Sequence, residues 1–181
     1  MTSNELLNAL KTFTEDAVKD LLLPVRFQKS DEEPPEDRAP LVFQMRLPDS
    51  KSATKKAPYI LHQKVTSKDS QEPGQRSTSE AVIRTVFCVY DEDEQQGGLS
   101  LNEVMDRVRI PLLRQRILAG QFELLMDGDH APQSLVYTEE TAPYYIGEMV
   151  TTWRLPPIER EVKLYEPYEN FFGQEEGSPG L

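Results

Sequence analysis

Residues that carry chemistry are scarce in this chain: one cysteine, two histidines and one tryptophan among 181 residues. A lone cysteine closes no intrachain disulfide. Cys88 lies inside the most apolar stretch of the sequence, which fits a buried, inert thiol better than a nucleophile. Neither His62 nor His130 has a second His or Cys at ligand spacing, which argues against a transition-metal centre. The phosphate-binding patterns GxxxxGK and GxGxxG are missing, as is the GxSxG elbow of serine hydrolases. No apolar run approaches the ~20 residues that cross a bilayer. The opening MTSNELLNAL lacks the basic and apolar regions of a secretory signal. The expectation is synthesis in the cytoplasm, with no membrane partner.

The carboxylates do not organise a site either. DEDE, Asp91–Glu94, lacks the alternating oxygen ligands and later Glu of a calcium loop. Asp127-Gly128-Asp129 reads as an Asp-Gly turn rather than a cation site. Glu139-Glu140 and Glu148 could pair as carboxylates, but Glu139 and Glu140 are neighbours near a turn and read better as solvated loop acids. The chain is therefore expected to hold no catalytic residue, no cofactor and no metal, and not to be an enzyme. A small α+β enzyme or ligand-binding domain stays as an alternative; it would need a deep polar-lined pocket around His62 or Tyr144.

Acid and proline are what the chain has in quantity. Its 31 acidic and 20 basic residues give a formal net charge of -11. That balance disfavours wrapping nucleic acid, whose phosphates demand Lys and Arg. The charge is uneven: DEEPPED (Asp31–Asp37) and DEDE are dense acidic blocks, and RVRIPLLRQR (Arg107–Arg116) is locally basic. Separated patches of both signs can pair between copies, although each block also fits a solvated face. Fourteen prolines and 38% hydrophobic residues suit one domain with a modest core and long connections.

Periodicity supplies the elements. Thr2 and Glu5 form a capping box ahead of Leu6, Leu10, Phe13, Ala17 and Leu21 at helical spacing, widened by Leu7, Val18 and Leu22. Pro24 ends that helix near Leu23. Val25–Phe27 reads as the start of a short strand. LVFQMRL (41–47) and YILHQKV (59–65) read as strands, with loop excursions at 30–58 and 66–79. AVIRTVFCVY (81–90) reads as a central strand covered on both sides. Gly97-Gly98 reads as a tight reversal. Ser100 then caps a helix from Leu101 to about Ala119, with Glu103 returning to it, Leu99 stapled on Val104, a kink at Pro111 and a stop at Gly120. FELLM (122–126) follows as a strand, and Leu135–Tyr137 can pair briefly. Tyr144–Trp153 is the last strand, with Tyr145, Met149, Thr151 and Trp153 on one face and Gly147 at a bulge or close approach.

The expected fold is therefore α+β: a single domain over 1–154, a mixed or antiparallel sheet covered by an N-terminal helix and one long central helix. Residues 155–181 form an extended Pro- and aromatic-bearing arm. Its aromatics, Tyr165, Tyr168, Phe171 and Phe172, suit docking on a neighbouring subunit or on their own domain.

The order VIRTVFCVYDED, Gly-Gly, LNEVMDRVRIPLLRQRIL, FELLM, PYYIGEMVTTWRLP resembles the tail terminator, or tail-completion, proteins of long-tailed bacteriophages. ELLNALKTF also suits their opening helix. The resemblance covers about two-thirds of the chain and rests on element order, without a diagnostic residue. It implies a virion protein of the tail and neck. Such proteins form a ring, usually a hexamer, that caps the tail tube, stops tube polymerisation and meets the head-completion or connector protein. Where the tail contracts, the ring can touch the sheath protein as well. DNA passes through the ring without specific binding, which would place Asp91, Glu92, Asp93 and Glu94 toward an acidic lumen. Arg107, Arg109, Arg114 and Arg116 on the polar side of the long helix would face the next subunit, together with the four arm aromatics. A head-completion adaptor or a tail-tube subunit is the neighbouring alternative.

Overall fold

A computed structural model of the chain describes residues 2–27, 33, 35–48, 56–137 and 142–158. It has the expected α+β architecture, with helices α1 (Ser3–Val18) and α2 (Glu94–Gln115). Seven strands form one sheet: β1 (Leu41–Gln44), β2 (Tyr59–Ser70), β3 (Thr78–Tyr90), β4 (Ile117–Leu118), β5 (Phe122–Leu124), β6 (Gln133–Val136) and β7 (Tyr144–Leu155). The order is β1-β2-β3-β7-β5-β4, and β6 also pairs with β7. Only β1 and β2 run parallel, so the sheet is mixed.

The β3–β7 ladder is its spine, running without a slip from Ser79↔Leu155 to Tyr90↔Tyr144. That register puts Ala81, Ile83, Thr85 and Phe87 on the same face as Trp153, Thr151, Met149 and Gly147. Both helices lie on this face. Leu6, Leu10 and Val18 from α1 and Leu101, Val104, Val108 and Leu112 from α2 share one core with Ile60, Ile83, Phe87, Met149 and Trp153. Each fully buried aliphatic side chain contributes roughly 1.5–3 kcal/mol. The helices therefore depend on the sheet, because most helical stability in proteins comes from packing an apolar face rather than from propensity. The opposite face carries a smaller cluster at one end, built on Ala57, Tyr59, Leu61, Cys88 and Tyr90.

Several boundaries differ from the sequence reading. α1 stops at Val18, five residues before Leu23. The chain then runs extended: Leu21 and Leu23 are buried while Leu22 is 65% exposed. Three consecutive leucines fit either period, and the extended form lets Leu23 exchange two backbone hydrogen bonds with Arg38. Val25–Phe27 forms no strand. Only the middle of the stretch 66–79 is a loop, since β2 continues to Ser70 and β3 begins at Thr78, joined by a turn with Gly74 at φ +79°. Residues 66–76 are exposed on both faces, so no apolar alternation marks the ribbon. Its pairing is held by the backbone and by Ser70–Thr78 and Ser79–Asp69 hydroxyl contacts of 2.9 and 2.6 Å.

The largest correction concerns α2. It starts at Glu94, not Leu101, because Asp93 caps it: its carboxylate accepts from the Gln95 and Gln96 N–H groups, both at 2.9 Å. Gly97 and Gly98 are inside the helix rather than at a reversal. Ser100 is a buried interior residue, and Leu99, expected as a staple, is 62% exposed. A Cβ on Gly97 would overlap the Tyr145 ring, so the glycine answers a packing demand. Gly147 does the same from β7, where a Cβ would stand 2.6 Å from the Met105 Sδ. The helix runs through Pro111 and ends where Arg116 turns left-handed at φ 56°, its N–H bonded to the Leu112 carbonyl. Gly120, expected as the stop, belongs instead to the β4–β5 turn beside Ala119.

Candidate functional site

The four acids of the DEDE block are joined to local structure. Asp91 accepts from the Asp93 N–H at 3.0 Å, Glu92 accepts from the Tyr90 hydroxyl at 2.9 Å, Asp93 caps α2 and Glu94 opens its first turn. Negative charge at a helix N-terminus is favourable, so the block has a structural role whatever it faces. The acids stand at the sheet end formed by Tyr90 and Tyr144.

The four arginines separate into two pairs. Arg107 is engaged inside the chain, with Asp20 at 3.2 Å and Glu103 at 3.7 Å, and Arg109 with Asp106 at 2.9 Å. Arg114 and Arg116 are exposed at the far end of α2 and make no ion pair among the described residues. α2 has 22 residues, about 33 Å, so these two cations and the DEDE block stand at opposite ends of the helix. Intrachain pairing between them is impossible; pairing between copies is not. Tyr165, Tyr168, Phe171 and Phe172 lie outside the described residues.

The histidines have unequal surroundings. His62 is 0% exposed on the helix-covered face, with Nε2 2.9 Å from the Thr14 hydroxyl of α1 and Nδ1 2.9 Å from the Thr85 hydroxyl of β3. Both ring nitrogens are used, and burial pushes its pKa down to about 4. The imidazole is therefore a neutral tie between α1 and the sheet. Sequence reasoning missed this, since nothing in the spacing of residues 14, 62 and 85 joins them. His130 is near the surface, 3.7 Å from Glu80 and 4.0 Å from Asp127. No group of three or more His, Cys, Asp or Glu side chains among the described residues could hold a metal ion.

Tyr144, the other centre named for a pocket, packs at 5.4 Å on Tyr90 and accepts from Arg26 Nη1 at 3.0 Å. Cys88 is 2% exposed, and burial pushes its thiol up to about 11, so almost no thiolate exists at neutral pH. A groove of about 400 Å³ lies between α1 and α2, lined by Ala17, Glu103, Asp106, Arg107, Ile110 and Pro111. Its carboxylates are on the exposed rim, and the Arg107 guanidinium is already committed to Asp20.

A second residue missed by sequence reasoning is Arg38. Its guanidinium donates to the carbonyls of Lys56, Ala57, Pro58 and Ala39 at 2.8–3.3 Å, tying the segment before β2 to the entry of β1. Burial lowers its pKa, a cost that these carbonyl contacts offset. No protein-family model matches the sequence, and no curated protein matches it. No helix of the described residues is long and apolar enough to cross a membrane.

Proposed function

We propose that this chain is a structural virion protein, a tail terminator whose copies close into a ring, usually six-membered in such proteins. The ring caps the tail tube of a long-tailed phage, ends its polymerisation and presents a surface to the head-completion or connector protein. The observation that carries the reading is the course of α2: it lies across the β3–β7 ladder, in the element order on which the resemblance rests. Two further features support it. Among the described residues both helices pack on one sheet face, and Val82, Val86 and Val150 on the other are only half-buried, which suits contacts with copies or neighbours. Charge is divided between the two ends of α2, which suits head-to-tail contacts in a closed ring.

In this reading the DEDE end turns toward the lumen, where like charge lets DNA slide without sticking. Arg114 and Arg116 meet acids of the next copy. Exposed pairs are worth about 0–1 kcal/mol each, so they orient the contact rather than drive it. Light scattering of the purified chain, with electron microscopy of the same sample, tests the reading. Closed rings with a central hole support it, open tubes favour a tail-tube subunit, and a monomer that also fails to bind preformed tail tubes returns the question to an enzyme or ligand-binding domain. Arg114→Glu with Arg116→Glu is expected to weaken the ring and reduce the salt sensitivity of assembly, leaving the monomer folded. Unchanged assembly would remove these arginines from the interface.

A further inference from the structure

The sheet has several outer strands, and they are unequally protected. β4 is two residues long. Past Lys64 the outer side of β2 carries a bulge together with Lys64, Lys68 and Asp69, features that discourage strand addition. β1 exposes only Leu41 among its four residues. β6 differs from all of these. Its four residues are all exposed, its register with β7 is unbroken from Gln133↔Val150 to Val136↔Gly147, and residues 131–137 contain no charge. Leu135, Val136 and Tyr137 are 53%, 36% and 37% exposed.

The ladder shows which backbone groups are free. The Tyr137 N–H donates to the Ile146 carbonyl at 3.0 Å. Antiparallel alternation then assigns Gln133 and Leu135 to hydrogen bonds with β7 and turns the N–H and C=O of Ser134 and Val136 outward. Among the described residues no strand takes them.

We propose that this edge receives Val162–Tyr165 of a second copy of the chain as an added strand. The inference rests on the assembly reading above and names a contact that joins the copies. Sequence supports the segment: Val162 and Leu164 alternate with Glu161 and Lys163, and Pro167 ends any ladder two residues later. Geometry decides whose segment it is. The described chain ends beside the β2–β3 ribbon, where the Ser77 hydroxyl donates to the Ile158 carbonyl at 2.6 Å. Val150, the nearest β7 partner of β6, is opposite Arg84, seven residues along β3 from Ser77 and about 23 Å away. The four steps from Ile158 to Val162 span at most about 14 Å. The β4–β5 hairpin also occupies the intervening edge of β7, at Glu123↔Arg154 and Leu124↔Trp153. A chain therefore cannot lay Val162–Tyr165 on its own β6 but can lay it on a neighbour's.

The test uses the full-length chain across a concentration series, with mass by light scattering and amide exchange by NMR. At assembling concentrations the Ser134 and Val136 amides are expected to exchange at least tenfold more slowly than in the dilute monomer. Ser134→Pro removes an outward donor without touching a β6–β7 bond. It and Val162→Asp/Leu164→Asp are each expected to weaken association at least tenfold, with unchanged thermal unfolding of the monomer. Assembly that survives both variants, with those amides still fast, overturns the β6 contact and leaves the ring reading standing. Weakening by Ser134→Pro alone assigns the edge to another segment and overturns the arm. Protection already complete in the monomer means the chain covers its own edge, which also overturns it. A chain monomeric at every concentration overturns this contact; the assembly reading falls with it only if that monomer also fails to bind preformed tail tubes.

Discussion

The two faces of the β3–β7 ladder are built on different terms. Toward the helices, Ile83, Phe87 and Trp153 are fully buried, and the polar groups are matched: His62 with Thr14 and Thr85, and the Trp153 indole N–H with the Thr151 hydroxyl at 2.9 Å. Toward the other side, Val82, Val86 and Val150 are half-buried, and a 2.5 Å Arg84–Glu148 ion pair lies among them. The first face carries the main core; the second carries the smaller cluster around Tyr59 and Cys88 at one end and half-buried apolar residues beyond it. Damage to the first should therefore unfold the chain, and damage to the second or to its β6 edge should change what the chain assembles with.

The largest expected effect is Trp153→Ala. Removing a fully buried indole beneath α2 should cost about 3–5 kcal/mol, read as a fall in the urea midpoint. Val150→Ala, on the same strand but the other face, should cost about 1 kcal/mol. Equal losses would erase the distinction between the faces. Next is acid. The His62 pKa is lowered to about 4 in the folded chain from 6.5, so below 6.5 the unfolded state binds the extra proton. Stability is full above pH 6.5 and falls between 6.5 and about 4, by about 3 kcal/mol in all. His62→Gln should remove that part of the slope, leaving the carboxylate titration at lower pH; denaturant curves for both proteins at pH 7.5, 6, 5 and 4 would show it, and parallel slopes would contradict it. The smallest effects come from adjacent glycines. Gly97→Ala drives a methyl into the Tyr145 ring and should cost about 1–3 kcal/mol. Gly98→Ala meets nothing within 4 Å and should add about 0.5–1 kcal/mol through helix propensity. The same sign for both would mean the Tyr145 contact is not tight.

The central parts of the fold were legible because periodicity and burial agree there. The period-2 pattern grouped Tyr145, Met149, Thr151 and Trp153 on one face, which the structure turns toward the helices, and of the two readings of Gly147, a bulge or a close approach, the Met105 contact supports the second. The misreadings have local physical causes. Asp93 and Ser100 both precede helix-compatible sequence, and the helix starts from Asp93, whose carboxylate caps the Gln95 and Gln96 N–H groups. The ribbon at 66–79 buries no apolar side chain, so no hydrophobic signal exists to be read. Arg38 and His62 act through partners brought together by the sheet. The candidate surfaces were partly legible: charge marked the DEDE block and the arginines, but only the structure separates Arg107 and Arg109, used within the chain, from Arg114 and Arg116. The β6 edge left little trace in sequence, since its free donors are a property of strand order.

Solution mass by light scattering, with images of the same particles, tests the central claim most directly. Closed rings of a fixed small number of copies with a central hole are expected, their mass unchanged when concentration rises further. Tubes that lengthen with concentration, or a monomer that neither self-associates nor binds a tail tube, would contradict it.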